Sequence, residues 1–298
     1  MTPALRLFAL LMLLAGAARA DIILLASDDK GAVAAVTVAL QSSYGGKVEL
    51  FSLAGGRTRE ADIVKAIQAS ASSQVVAIGL LAAQVARQRL DGKQVVFCQV
   101  LNVEESSLVT PWMKGVSGIP SLVRQFAAWK LLDPGLRRIG LITGPKASYL
   151  VHEAQAAARA LGLEVEHVAV TSDRAVAPAL QELRERRING LWLAPDSSIL
   201  SQRAILDLMA ATVRYNIPVL AFSPALLKEG ALLAGTADTR EIASVALERL
   251  RRATPGVGGV PGEALAPLGG ARITIGASAA ARFGLVIPPK LKEAADVQ

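Results

Sequence analysis

Short runs of apolar residues alternate with longer amphipathic stretches along most of the chain. Residues 139–143 form one such run, which is rich in β-branched side chains and ends at a Gly-Pro pair, a pattern typical of a buried strand. In residues 150–161 apolar side chains recur at helical spacing, and Gly162 favours the end of that helix. Residues 165–169 predict the next strand. The unit is therefore β-turn-α-turn-β, the building block of a parallel sheet.

The same alternation runs through two successive series of similar size. The first predicts strands at residues 21–26, 47–53, 74–78 and 94–100, and the second at 138–143, 164–169, 190–194 and 218–222. The pattern lapses between the two series, at residues 103–118, and a final strand is predicted at 271–275. Strands that alternate with helices in this way predict an α/β protein with doubly wound parallel sheets.

The first twenty residues are typical of an export signal. Arg6 and the amino terminus supply positive charge, residues 7–15 are apolar but short for a bilayer span, and Ala18-Arg19-Ala20 has the small-x-small pattern of a cleavage site. We expect cleavage after Ala20, export to a periplasm and no lipid anchor, because no cysteine follows the signal directly. An uncleaved anchor or a buried first helix is the alternative.

Composition and charge narrow the function classes. Apolar residues make up 52% of the chain and aromatic residues only 4%, so small aliphatic side chains must fill a sizeable core. The formal net charge is +7, but the basic residues are scattered without interleaved aromatics, which argues against nucleic-acid binding. Cys98 is the only cysteine, which excludes an intrachain disulfide and is typical of a buried strand residue.

The sequence contains no recognisable catalytic or metal-binding motif. His152 and His167 are the only histidines, and they lack the spacing of a metal or catalytic pair. Nucleophile-elbow, P-loop and dinucleotide-binding glycine motifs are also missing. The sequence therefore predicts a protein that is not an enzyme and that carries no cofactor and no metal.

The loops after the predicted strands are the candidate ligand-binding positions. In an open parallel sheet, ligands collect outside the carboxyl ends of the strands, where helix N-termini present free N–H groups. Tyr149 is a candidate because an aromatic side chain in the first turn of a helix can project into a cleft. Asp28 and Asp196 are candidate partners for a ligand cation, although Asp, Ser and Gly after a strand also serve as ordinary helix caps.

Six segments spread over most of the chain carry a family resemblance: residues 75–84, 115–119, 137–142, 217–223, 228–234 and 273–288. In their order and spacing they resemble the periplasmic solute-binding proteins of ABC uptake transporters, in the branch similar to the tryptophan- and tyrosine-binding components. The resemblance implies a two-lobed clamshell of the type I periplasmic-binding-protein fold, with a doubly wound parallel sheet in each lobe. The expected lobes are residues 21–118 plus about 236–262, and residues 119–235 plus about 263–298.

The resemblance also implies a function. The chain would be the extracytoplasmic component that traps a small solute, such as an amino acid or a related compound, between its lobes and passes it to a membrane permease; a monomer is expected. By matched position, the contacts would be Ser27, Asp28, Gly79, Leu80, Gln99, Ser148, Tyr149, Asp196, Ser223 and Asp238. The carboxylate of an amino acid would meet helix N-termini near Gly79 or Ser148, and its ammonium group would meet Asp28 or Asp196.

The chain departs from this family's pattern in several loops. The family often has Asn in the first crossing, Asp-Pro after the fourth strand, an Asn-Ser type turn in the second lobe and Asn in the tail. This sequence has Gly115, residues 100–102 (Val-Leu-Asn), residues 145–147 (Pro-Lys-Ala) and Gly276 at those places. These differences motivate an alternative hypothesis, a periplasmic ligand-binding sensor or accessory module that is not coupled to a permease.

Overall fold

The computed structural model describes residues 21–101, 103, 104, 106–253 and 259–298. The predicted export signal and its cleavage site lie outside the described residues. Within them the chain forms two compact units. The first unit comprises the chain through Gln99 with Val109–Val116 and Ala243–Ala264, and the second comprises Val100–Leu108, Ser117–Ile242 and Leu265–Gln298. The lobe boundaries that the sequence suggests stay a prediction.

The first unit is built on parallel strands separated by helices. Its elements are β1 (Ile22–Ala26), α1 (Gly31–Ser43), β2 (Val48–Ser52), α2 (Glu60–Ala69), β3 (Gln74–Ile78), α3 (Leu80–Arg89), β4 (Gln94–Cys98) and β5 (Met113–Val116). The five strands lie in the order β5-β4-β3-β1-β2, and all neighbours are parallel. Every residue of β1 and of β4 is buried, as expected for strands covered on both faces.

The second unit repeats this architecture with additional strands at one edge. Its elements are α4 (Leu122–Leu132), β6 (Arg138–Thr143), α5 (Ser148–Ala160), β7 (Glu164–Ala169), α6 (Val176–Glu185), β8 (Gly190–Leu193), α7 (Gln202–Arg214), β9 (Val219–Ala221), β10 (Leu233–Thr236), β11 (Leu265–Ala266), β12 (Arg272–Ile275), α9 (Ala277–Arg282), α10 (Pro289–Ala294) and β13 (Asp296–Val297). α8 (Thr239–Arg252) runs from the second unit into the first. The sheet order is β13-β12-β10-β9-β8-β6-β7, and β12 pairs antiparallel with β10.

Two apolar layers sandwich the sheet of the second unit. Leu141 of β6 belongs to a core cluster with the fully buried Trp129 and Trp192, whereas the next residue, Ile142, belongs to a different cluster that includes Leu180. Successive strand residues point to opposite faces, so helices cover both sides of the sheet. Among the described residues, no helix combines the length and the apolar character that crossing a bilayer requires.

The predicted fold class is confirmed: the protein is α/β with two mostly parallel sheets. The eight strands predicted in the two series form, with ends displaced by a few residues. Strand β5 was not predicted, because Lys114 and Gly115 interrupt its apolar pattern in the stretch where the periodicity lapses. Periodicity resumes in α4, which begins at Leu122, after Pro120 and a Ser.

Candidate ligand-binding site

The strand order reverses at one equivalent point in each unit. In the first unit β1 lies between β2 and β3, and in the second unit β6 lies between β7 and β8. The chain therefore passes from the central strand to the neighbouring strand on one side and then crosses to the neighbouring strand on the other side. Ligands of open α/β sheets bind in the crevice outside the carboxyl ends of the strands at such a reversal. The loops after β1, β3, β6 and β8 are the positions that this rule selects.

Ser27 and Gly79 lie together at the reversal of the first unit. Ser27 Oγ accepts a 2.8 Å hydrogen bond from the backbone N–H of Ala82 in the first turn of α3, so a hydroxyl from the loop after β1 caps this helix. Gly79 precedes the helix with φ 90° and ψ 167°, a conformation that is essentially restricted to glycine. A Cβ at this position would lie 2.6 Å from Ser27 Oγ. The close approach of the two loops therefore requires glycine.

The other predicted contacts of the first unit also follow its strands. Asp28 is half-buried, and its Oδ1 accepts a hydrogen bond from the N–H of Asp29 at 2.6 Å. Leu80 is apolar yet 43% exposed at the start of α3. Gln99 directly follows β4 with a left-handed φ of 57°. Because β1, β3 and β4 are parallel, all of these residues lie at the same edge of the sheet.

Asp196 is the most completely bonded of the predicted residues in the second unit. Its side chain is only 3% exposed. Oδ2 accepts a 2.7 Å hydrogen bond from the N–H of Gly144, and Oδ1 accepts from the N–H and the hydroxyl of Ser198 at 3.0 and 2.6 Å. The carboxylate thus joins the loop after β6 to the loop after β8 across the reversal. A solute cation would be an additional partner for this carboxylate.

Ser148 and Tyr149 donate hydrogen bonds to the carboxylate of Glu104, a contact that the sequence does not predict. Ser148 Oγ donates to Glu104 Oε1 at 2.5 Å, and the N–H of Tyr149 donates to Glu104 Oε2 at 3.1 Å. All three residues belong to the second unit. Glu104 is absent from the predicted contacts because it lies in the stretch without periodic pattern and is 44 residues from Ser148 along the chain.

Two cavities adjoin the N-terminus of α5, and both are lined by Glu104 and Tyr149. The smaller has a volume of about 30 Å³ and is otherwise lined by Leu101, Val103, Lys146, Ala147, Leu150, Asp196 and Ser198. The larger is an open cavity of about 600 Å³, whose further lining includes Thr143, Ser148, His152, Gln155 and His167. The second unit therefore brings two carboxylates, an aromatic ring and both histidines of the chain to the edge of its sheet.

His167 has a defined partner in the larger cavity. Its Nε2 lies 2.9 Å from Thr143 Oγ1. Thr143 Oγ1 also makes a 3.0 Å hydrogen bond to the carbonyl of Gly144. Burial, with a smaller contribution from the positive charge of Arg186, lowers the pKa of His167. Both effects favour the neutral imidazole.

Ser223 and Asp238 act as helix caps further along the same sheet. Ser223 Oγ accepts from the N–H of Ala225 at 3.3 Å, and Asp238 Oδ1 accepts from the N–H groups of Arg240 and Glu241 at 2.8 and 3.2 Å. They follow β9 and β10, one and two strands beyond β8. Asp238 therefore caps the N-terminus of α8. The Glu241 carboxylate, three residues on, accepts hydrogen bonds from the N–H groups of residues 269 and 270.

Metal-ligand clusters and the single cysteine are the remaining candidates for chemistry in these units. Across the described part of the chain, no group of three or more His, Cys, Asp or Glu side chains is placed to hold a metal ion. Cys98 is fully buried in β4, and burial raises its pKa to about 12. Because the thiolate is the nucleophilic form, this cysteine is a core residue, as its apolar sequence neighbours predict.

A family comparison and structural comparisons show the family and the fold of the chain. The profile of the ABC transporter substrate binding protein family matches residues 46–252, and no curated protein sequence matches the chain. The structure is similar to an ABC domain from Streptococcus pneumonia in complex with L-Trp, with a TM-score of 0.60 and 19% identity over 93% of this chain and 100% of that one. It is also similar to the ligand-free, open structure of a substrate binding protein with adhesive properties from Clostridium difficile. That comparison has a TM-score of 0.67 and 15% identity over 93% of this chain and 98% of the other. These neighbours establish the type I periplasmic-binding-protein fold.

Proposed function

Because the chain belongs to the ABC transporter substrate-binding protein family, we propose that it is the extracytoplasmic solute-binding component of an ABC-type uptake transporter. Members of this family bind small solutes, work in general with ABC permeases and are typically extracytoplasmic. Export, cleavage after Ala20, a monomeric state and delivery of the solute to a membrane permease are parts of this proposal. Neither the family nor the fold requires an enzymatic activity.

The observation that carries the proposal is the bonding of Asp196 across the strand reversal of the second unit. A buried carboxylate at this position holds two loops in a fixed geometry at the carboxyl edge of the sheet, where ligands of open α/β sheets bind. We assign solute contacts to Ser148, Tyr149, Asp196, Ser223 and Asp238 there. In the first unit we assign them to Ser27, Asp28, Gly79, Leu80 and Gln99.

An amino acid or a related small compound is the solute class that we propose. The chemistry of the two units suits the two charged ends of such a molecule. In the second unit, Asp196 and Glu104 line a cavity together with Tyr149, and an ammonium group is attracted both to carboxylates and to an aromatic face. In the first unit, α3 begins behind a neutral hydroxyl cap, so its N-terminus keeps the partial positive charge that attracts a carboxylate.

Native mass spectrometry and thermal shifts test the solute-binding role. The mature protein, purified from its own periplasm, should carry a copurifying small molecule. Its melting temperature should rise with one class of compound in a panel of amino acids and related amines, because a ligand that binds only the folded state stabilises it. The L-Trp complex of a structural neighbour makes aromatic amino acids the first compounds to test. A clean apo mass with no shift from any compound would contradict the proposal.

The second candidate is a sensor or accessory module without a permease. The departures from the family's loop pattern at Gly115, residues 100–102, residues 145–147 and Gly276 motivate it. Genomic context separates the two. Genes for a permease and an ATPase beside this one support the transporter component, and a sensor kinase gene there supports the alternative.

A further inference from the structure

The N-terminus of α5 is neutralised by a distant side chain of the same unit. The helix has 13 residues, and its N-cap residue, Ala147, makes no side-chain capping bond. The first N–H groups of a helix lack intrahelical partners, and they carry partial positive charge. Ala147 has no side-chain acceptor. Glu104 supplies one, because its carboxylate accepts hydrogen bonds from the N–H of Tyr149 and from the hydroxyl of Ser148.

The geometry of this contact is that of a bound anion and differs from that of an ordinary cap. A capping side chain comes from the residue immediately before the helix and accepts through one oxygen. Glu104 lies 44 residues before Ser148, and each of its oxygens has its own donor. The carboxylate also borders both the small cavity and the open cavity of about 600 Å³. The Glu104 carboxylate therefore accepts hydrogen bonds from two donors at a position that borders both cavities.

We propose that Glu104 is a specificity-determining residue that fills an anion position with its own carboxylate and so discriminates against solutes that present a carboxylate to α5. This proposal rests on the proposed solute-binding function. A solute carboxylate can reach Ser148 Oγ and the N–H of Tyr149 only after Glu104 has left. With Glu104 in place, the same end of the site presents the carboxylates of Glu104 and Asp196. The favoured solute is therefore neutral or cationic in the part that faces α5.

A chemical-rescue titration tests this assignment without knowledge of the natural solute. Acetate is added to ¹⁵N-labelled mature protein carrying Glu104→Ala, and the amide resonance of Tyr149 is followed. We expect a saturable shift, because acetate replaces the missing carboxylate between the same two donors. The wild type should show no saturable shift at this amide. The matched control, Glu185→Ala, removes one exposed carboxylate from α6 of the same unit and should behave like the wild type.

Either of two results would overturn the assignment. One is a Glu104→Ala protein whose Tyr149 amide shows no saturable response to acetate. The other is a response of equal size in the wild type, which would mean that Glu104 does not hold the position.

A second measurement links the position to solute selection. The affinities of L-tryptophan and of tryptamine, which lacks the carboxylate, are compared by calorimetry in the wild type, Glu104→Ala and Glu104→Gln. In both variants we expect the preference to move toward L-tryptophan by about tenfold, the size of one charge-assisted hydrogen bond. An unchanged ratio would refute the role in specificity. If neither compound binds any of the three proteins, L-tryptophan and tryptamine are excluded as solutes, whereas the acetate titration still decides the role of Glu104.

Discussion

The two units use the same strand order, but they differ in chemistry where that order reverses. In the first unit a neutral hydroxyl, Ser27, caps the helix after β3, and Gly79 allows the two loops to touch. In the second unit the residues at this edge are carboxylates: Asp196 joins the loops after β6 and β8, and Glu104 covers the N-terminus of α5, the helix after β6. Topology thus decides where loops meet, and the residues in those loops decide which charge they present.

This difference gives the N-termini of α3 and α5 opposite electrostatic preferences. A helix N-terminus with a neutral cap keeps its partial positive charge, whereas one with a bound carboxylate is neutralised. The N-terminus of α3 is therefore suited to an anionic group, and that of α5, covered by Glu104, to a cationic or neutral one. Four substitutions, grouped in three experiments, test the loops of the two units, beginning with the largest expected effect.

Gly79→Ala should have the largest effect, and it tests the close loop approach in the first unit. The new Cβ would lie 2.6 Å from Ser27 Oγ on a backbone with φ 90°, and the strain and overlap together should lower the free energy of unfolding by about 3 kcal/mol. Urea denaturation measures the change. Gly92→Ala is the matched control, because a Cβ there meets no atom within 4 Å. Equal stability of the two variants would show that the loops can separate freely.

Asp196→Ala and Asp28→Ala test whether the loop carboxylates of the two units differ as described. Removal of Asp196 leaves the buried N–H of Gly144 without its acceptor, so we expect a loss of about 2 kcal/mol in unfolding free energy. Removal of the half-buried Asp28, whose observed bond is to the adjacent N–H, should cost less than about 0.5 kcal/mol. Thermal and urea unfolding measure both. Similar losses would mean that the two loops are held in the same way.

His167→Gln should produce the smallest effect, a change in the pH dependence of stability. The pKa of His167 is lowered from its ordinary value of 6.5 by burial and, to a smaller extent, by Arg186. The fold therefore favours the neutral ring. This contribution to stability is fully present above the unfolded-state pKa and is lost as the pH falls through the lower folded pKa. The unfolding free energy of the variant should fall less steeply than that of the wild type between about pH 7 and pH 5. If the unfolding free energies of the variant and the wild type changed with pH in parallel, His167 would be excluded as a source of the pH dependence.

Much of the fold follows from local sequence pattern. The buried strands β1, β3 and β6 are continuous apolar runs bounded by turn residues, and each forms close to its predicted limits. Strand β5 escapes prediction because Lys114 and Gly115 break its pattern, and it forms because β4 offers it a partner. Hydrogen bonding to β4 stabilises a strand that its own apolar pattern does not predict.

The positions of Ser27, Gly79 and Asp196 could be predicted as loop positions, because parallel strands bring their carboxyl ends to one edge. Their partners could not be predicted. Glu104 carries no motif, no periodicity and no neighbour in sequence that would single it out. Its two hydrogen bonds exist because the segment after β4 is brought back to the start of α5.

The sequence by itself determined the α/β class, the alternation of elements, the family and the loops in which a ligand would be sought. Only the tertiary structure decided that Asp196 bridges two of those loops and that Glu104 occupies the N-terminus of α5. The physical reason is the distance along the chain over which each kind of interaction acts. Helix and strand periodicity arises from backbone geometry over a few neighbouring residues, whereas a hydrogen bond between residues 44 apart depends on the path of the whole intervening chain.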